Sequence, residues 1–210
     1  MAGLSYSTEI SEQLFGMIEW LEQHPHPNDF VFHLIELLGA TLAGVKPAEI
    51  LTLTVYKDKA KNSDWEKTHS CLSRHKKLKL KDIRFIRDNR QILFYHISAL
   101  ERTLERPVNL RFLRKLGYPE NYSLEGYLEH LRKRFKEISF PHEIGIFLGY
   151  PLKDVMGFIG HPSLKFIKTR AWKVYGDARL SDKRYQDFRE ARAEVLRIIS
   201  ETMEKEAVLH

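Results

Sequence analysis

Apolar residues recur at helical spacing from early in the chain. Ile10, Leu14, Ile18 and Leu21 lie three or four apart, and Thr8 or Ser7 can cap the helix they define. His24-Pro25-His26-Pro27 breaks it. Asn28 or Asp29 then opens a second helix through Phe30, His33, Leu34, Leu37 and Leu38, with Gly39 and Gly44 bracketing its end. The pattern next changes to β-rich: Glu49 to Tyr56 reads as a strand, and Arg90 to Ile97 as a second. The stretch between them reads as a loop with one short helix.

Helical punctuation dominates the rest. Ser98-Ala99-Leu100-Glu101 has the form of a capping box. Pro107 opens a helix that stops at Gly117, and Ser123 caps another that runs to about Lys136. Pro141 and Pro151 open two short helices ended by Gly149 and Gly160. Ser181 caps a last helix striped by Tyr185, Phe188, Val195 and Ile199. The pattern predicts one α+β domain over residues 1–210, mostly helical, with a small sheet covered by helices.

Composition narrows the class. The chain has 210 residues, 43% of them hydrophobic and 30% charged, which suits a globular core rather than a disordered chain. No apolar run reaches the ~20 residues of a membrane span, and the first residues lack the basic and apolar regions of a secretory signal. Cys71 stands alone, which excludes an internal disulfide and a four-thiolate metal site. A cytoplasmic location without membrane contact is the expectation.

Charge is unevenly placed. Twelve Lys or Arg and five Asp or Glu fall between Lys57 and Arg90, while the whole chain carries +6. Arg74, Lys76, Lys77, Lys79 and Lys81 could contact nucleic-acid phosphates, since Lys77, Lys79 and Lys81 alternate with Leu78 and Leu80. A solvated charged face explains the same run without any ligand.

Two passages concentrate glycine, proline and polar residues among apolar ones: Thr41 to Glu49, and Phe140 to Pro151 continuing through Ile159. With Arg111 to Gly117 and Trp172 to Asp177, in this order, they resemble the bacterial Domain of Unknown Function 3793 family, found mostly in anaerobes. The resemblance runs from about Phe32 to Phe188 and implies no catalytic role. It points at most to an accessory part in anaerobic redox metabolism. Members tend to carry a cysteine and a proline shortly before the Thr41-Leu42-Ala43-Gly44 stretch, and further cysteines before the Trp172 passage. Here Leu38 and Ala40 stand at the first positions, and no cysteine follows Cys71.

Small-molecule or cofactor binding is the leading expectation, with the cofactor's identity open. The pocket is expected where the two short helices meet the Gly44-to-Pro47 turn. Lys46 would meet an anionic group there, and Tyr150, Trp172 and Tyr175 would form walls. A second expectation is an enzyme using His142 and Glu143 in acid–base chemistry. Each feature also has a plain structural reading: Glu143 complements a helix dipole, and Gly44 is a helix C-cap. The ten histidines show no HExxH spacing, so no metal ligands are assigned.

Overall fold

The structure, a computed structural model, describes residues 2–24, 29–54, 63–87 and 89–209. Its organising element is a three-stranded antiparallel sheet of order β1-β3-β2. The strands are β1 (Ala48–Thr54), β2 (Leu78–Ile86) and β3 (Asn89–His96). Side chains alternate across a strand, and here both faces are covered. Leu51, Leu53, Leu80, Ile92 and Phe94 join one core; Ala48, Ile50, Ile83, Leu93 and Tyr95 join the other. That is why central β3 reads as a continuous apolar run.

One face carries α1 (Ala2–Gln23), α2 (Asp29–Leu42), α3 (Ser63–Ser73) and the long α9 (Arg179–Leu209). The other carries α4 (Ile97–Leu104), α5 (Pro107–Lys115), α6 (Leu124–Glu137), α7 (Ile144–Phe147) and α8 (Leu152–Ile159). A separate hairpin joins β4 (Phe166–Thr169) to β5 (Lys173–Tyr175) and sends Trp172 and Val174 into the first core. Mostly helical α+β is therefore the architecture.

Four local expectations change. The basic segment holds a full strand, β2, paired with β3 in a hairpin that turns at Arg87 (φ 55°). The Lys-Leu alternation is the strand signal, and its lysines mask it. The β4–β5 hairpin is also additional to the two expected strands. At α4 the cap is His96, whose Nδ1 accepts from the Ala99 amide at 3.3 Å, so the helix starts ahead of Ser98. Ser181 lies inside α9, buried, with its hydroxyl turned to Asp154 instead of a helix amide. The residues 25–28 of the predicted break, including the Asn28 cap, lie outside the described residues, as do Tyr56 and the lysines at 57, 59 and 61.

Candidate functional site

The two glycine- and proline-punctuated passages meet at one contact. Gly149 ends the α7 turn at φ +81°, and a methyl group built on it would sit 2.5 Å from Cδ of Pro47. Only a residue without a side chain lets the Pro47 ring approach so closely. Gly44, at φ +67°, is needed for a similar reason: a Cβ there would lie 2.9 Å from Nε2 of His96. The second passage thus packs onto the turn that leads into edge strand β1. Tyr150 follows Gly149 and touches both cores, marking the seam between the two helical layers.

A clamp on α8 closes the seam from the other side. Asp154 is 2% exposed and accepts from four donors. These are Trp172 Nε1 at 2.8 Å, the Tyr175 amide at 2.9 Å, the Ser181 hydroxyl at 2.6 Å and Lys153 Nζ at 2.6 Å. Lys153 Nζ donates also to the Tyr175 carbonyl and to Ser181 Oγ, both at 2.7 Å. A buried carboxylate with this many partners holds the β4–β5 hairpin and the start of α9 against α8. The Tyr175 ring lies flush on Gly157, where a Cβ would overlap it.

Between the clamp and β1 opens a cleft of about 460 Å³. Phe140, Ile144, Leu148, Tyr150, Val155, Phe158 and Trp172 supply its apolar wall. Tyr150 and Trp172 stack with ring centroids 4.5 Å apart. His142, Glu49, Thr169 and Lys173 bring polar atoms to the lining. Burial and then the nearby Glu49 carboxylate hold the Tyr150 phenol protonated, well above its ordinary value.

A sequence profile described as "Protein of unknown function (DUF3793)" matches residues 34–209. The chain belongs to this family. No curated protein and no solved structure matches it.

In this DUF3793 member the site residues anticipated from sequence divide into groups. His142, Tyr150 and Trp172 line the cleft. His142 is exposed, edge-on to Phe158 at 4.9 Å, and its imidazole hydrogen-bonds no described carboxylate or hydroxyl. Glu143 turns away from it. Its carboxylate accepts from Arg134 Nε at 2.8 Å and from the Tyr118 hydroxyl at 3.5 Å, tying α6 to α7. The two residues are adjacent in sequence, so they point in different directions and do not form a pair. Lys46 ion-pairs with Glu49 and lies over Phe188 at 5.6 Å, outside the cleft wall. Tyr175 is the outer support of the clamp.

Three residues of the basic segment, Lys81, Arg84 and Arg90, make contacts within the fold. Lys81 sits 2.5 Å from both Glu125 and Glu129 of α6. Arg90 makes a two-pronged pair with Asp82, and Arg84 donates to Gln91 at 3.0 Å. Arg74, Lys76, Lys77 and Lys79 are exposed. Between them His75 is buried, its Nδ1 accepting from the Lys77 and Leu78 amides.

Among the described residues no three His, Cys, Asp or Glu side chains gather as metal ligands. Burial pushes the Cys71 thiol up to about 12, leaving it no thiolate character at neutral pH. No helix is long and apolar enough to cross a membrane, among the described residues.

Sequence reasoning missed Asp154, Glu49, Lys173 and Ser181 as site residues. Asp154 looked like an ordinary acid in a first helical turn, and nothing local reveals that a hairpin about twenty residues later returns to it. Phe140 and Phe158 lie inside the glycine- and proline-punctuated passage, among other apolar residues with the same local signal.

Proposed function

We propose that the protein binds a small, largely apolar molecule in the cleft between β1, α7, α8 and the β4–β5 hairpin. The molecule has a flat or ring-shaped body and one anionic group. The supporting observation is the cleft itself: about 460 Å³ falls within the ~300–1,000 Å³ of small-molecule pockets. Its wall is aromatic and aliphatic, with a few polar groups to set orientation. The ring body would lie along Phe158 and Trp172. The anionic group would meet Lys173, whose ammonium lies 5.5 Å from the Phe158 ring centre, and His142 beside it.

In this reading His142 is a polar contact at the mouth of the cleft. Acid–base catalysis would need a second group within hydrogen-bond reach to orient the imidazole. Lys46 keeps the turn closed through Glu49 and does not touch the ligand.

The test uses anilinonaphthalene sulfonate, an aromatic anion, as the probe. The folded protein should bind it at one site with enhanced dye fluorescence. Ala171→Trp fills the cleft from an exposed lining position and should abolish that site; Lys173→Gln should weaken it roughly tenfold. Unchanged binding by both variants would refute the assignment. Native mass spectrometry of the protein from its own host would then read the natural ligand's mass, and the Ala171→Trp form should lack it.

A further inference from the structure

On the far side of Tyr150 lies a second, smaller cavity of about 230 Å³. Its wall joins the starts of α5 and α8 to α9 through Arg106, Val108, Pro151, Leu152, Leu180 and Arg184. Two arginines of like charge line this space, and among the described residues neither hydrogen-bonds or ion-pairs with an acidic side chain.

Arg184 is half-buried and Arg106 exposed. Burial, and then the charge of Arg106, hold the Arg184 guanidinium below the ordinary arginine value, with Asp187 acting in the opposite direction. Asp187 itself binds Lys183 through both oxygens, at 2.9 and 3.0 Å. The third cation in the wall, Lys153, is already neutralised by Asp154, so the uncompensated charge belongs to the two arginines.

The backbone adds to the same field. α5 and α8 both begin in this wall, and neither has a side chain capping its first amides. The N-terminal end of a helix carries partial positive charge, and its first amides lack helical partners. Two like charges brought together without a counter-ion raise the free energy of the folded state unless an anion joins them.

We propose that this cavity is an oxyanion site, built by Arg106 and Arg184 to take the phosphate group of a small phosphorylated molecule. Arginine's planar fork matches the oxygens of phosphate and can grip two at once. Two uncompensated positive charges match a phosphate monoester better than a single carboxylate. The volume lies below the ~300–1,000 Å³ of drug-sized pockets, so it holds the phosphate and a few attached atoms. Tyr150 lines both this cavity and the aromatic cleft, and the other lining residues of the two differ.

The experiment is calorimetric titration of the protein with inorganic phosphate at constant ionic strength, with acetate as the carboxylate control. One saturable phosphate site is expected, with acetate at least about tenfold weaker. Arg184→Gln and Arg106→Gln should each weaken phosphate binding by about tenfold or more while circular dichroism stays unchanged. Arg106 is exposed, so its variant decides the matter if Arg184→Gln disturbs folding. Absence of a saturable phosphate site, equal affinity for acetate, or wild-type phosphate affinity in Arg106→Gln would overturn the proposal.

Discussion

The ring of Pro47 rests on the backbone of Gly149, two residues about a hundred positions apart in the chain, with no room between them for a methyl group. This contact seats the α7–α8 passage on the edge of the sheet and fixes where Tyr150 emerges. Gly149→Ala should therefore destabilise the fold by about 2–4 kcal/mol, through the left-handed backbone and the overlap with Pro47 together. Urea unfolding measures it. A loss below about 0.5 kcal/mol would mean that the two passages are not packed as described.

Asp154→Asn keeps the size of the side chain but removes the charge opposite Lys153 and places donors where four donors already point. Breaking a buried ion pair of this kind costs about 3–5 kcal/mol. The β4–β5 hairpin should loosen first, because three of the four donors come from it or from the start of α9. The emission of Trp172 should shift toward the red in the variant at denaturant concentrations where helical circular dichroism is still native. Coincident transitions would show that Asp154 does not govern the hairpin separately.

Acid should unfold the protein through His75 and His96. Burial, the main cause in both, lowers their pKa values from 6.5 to about 4. Lys77 adds to this at both rings, and His75 and Arg102 add to it at His96. The folded chain thus binds fewer protons than the unfolded one between these values. Stability is complete above pH 6.5 and falls as pH drops toward 4, by on the order of 3 kcal/mol per histidine. Denaturant melts at pH 7.5 and pH 4.5 read the loss, and proton resonances of the two rings locate it. Titration of both near their ordinary value would contradict their burial.

Lys81 anchors α6 to β2 between two glutamates that are themselves partly exposed. Lys81→Met should cost only about 1 kcal/mol, with the difference from wild type shrinking in high salt. Binding to a short single-stranded oligonucleotide at low salt separates this structural role from phosphate contact. If Lys81 serves only α6, the variant and the wild type will behave alike.

How much of this was legible beforehand follows the range of the forces involved. Helix starts at Pro107 and Ser123, stops at Gly117 and Gly160, and the two apolar strands depend on neighbours a few residues away, and the sequence carries them openly. β2 is masked because lysines occupy its alternate positions; the glutamates of α6 explain why one of them, Lys81, sits there. The cap of α4 departs from the Ser98 capping box for a similar reason. His96 outcompetes Ser98 because Gln13, far away on α1, holds its Nε2 at 2.9 Å and leaves Nδ1 free to accept.

The sequence alone determined the class of fold, the glycines that end helices, and the two passages whose glycines and prolines set them apart. Tertiary structure decided which polar residues become chemistry. Glu143 went to Arg134, Lys46 to Glu49 and Asp154 to a distant hairpin, while Arg106 and Arg184 came to line one cavity. A charged side chain's role depends on what lies within a few ångströms of it, and residues remote along the chain supply those neighbours only once the layers have packed.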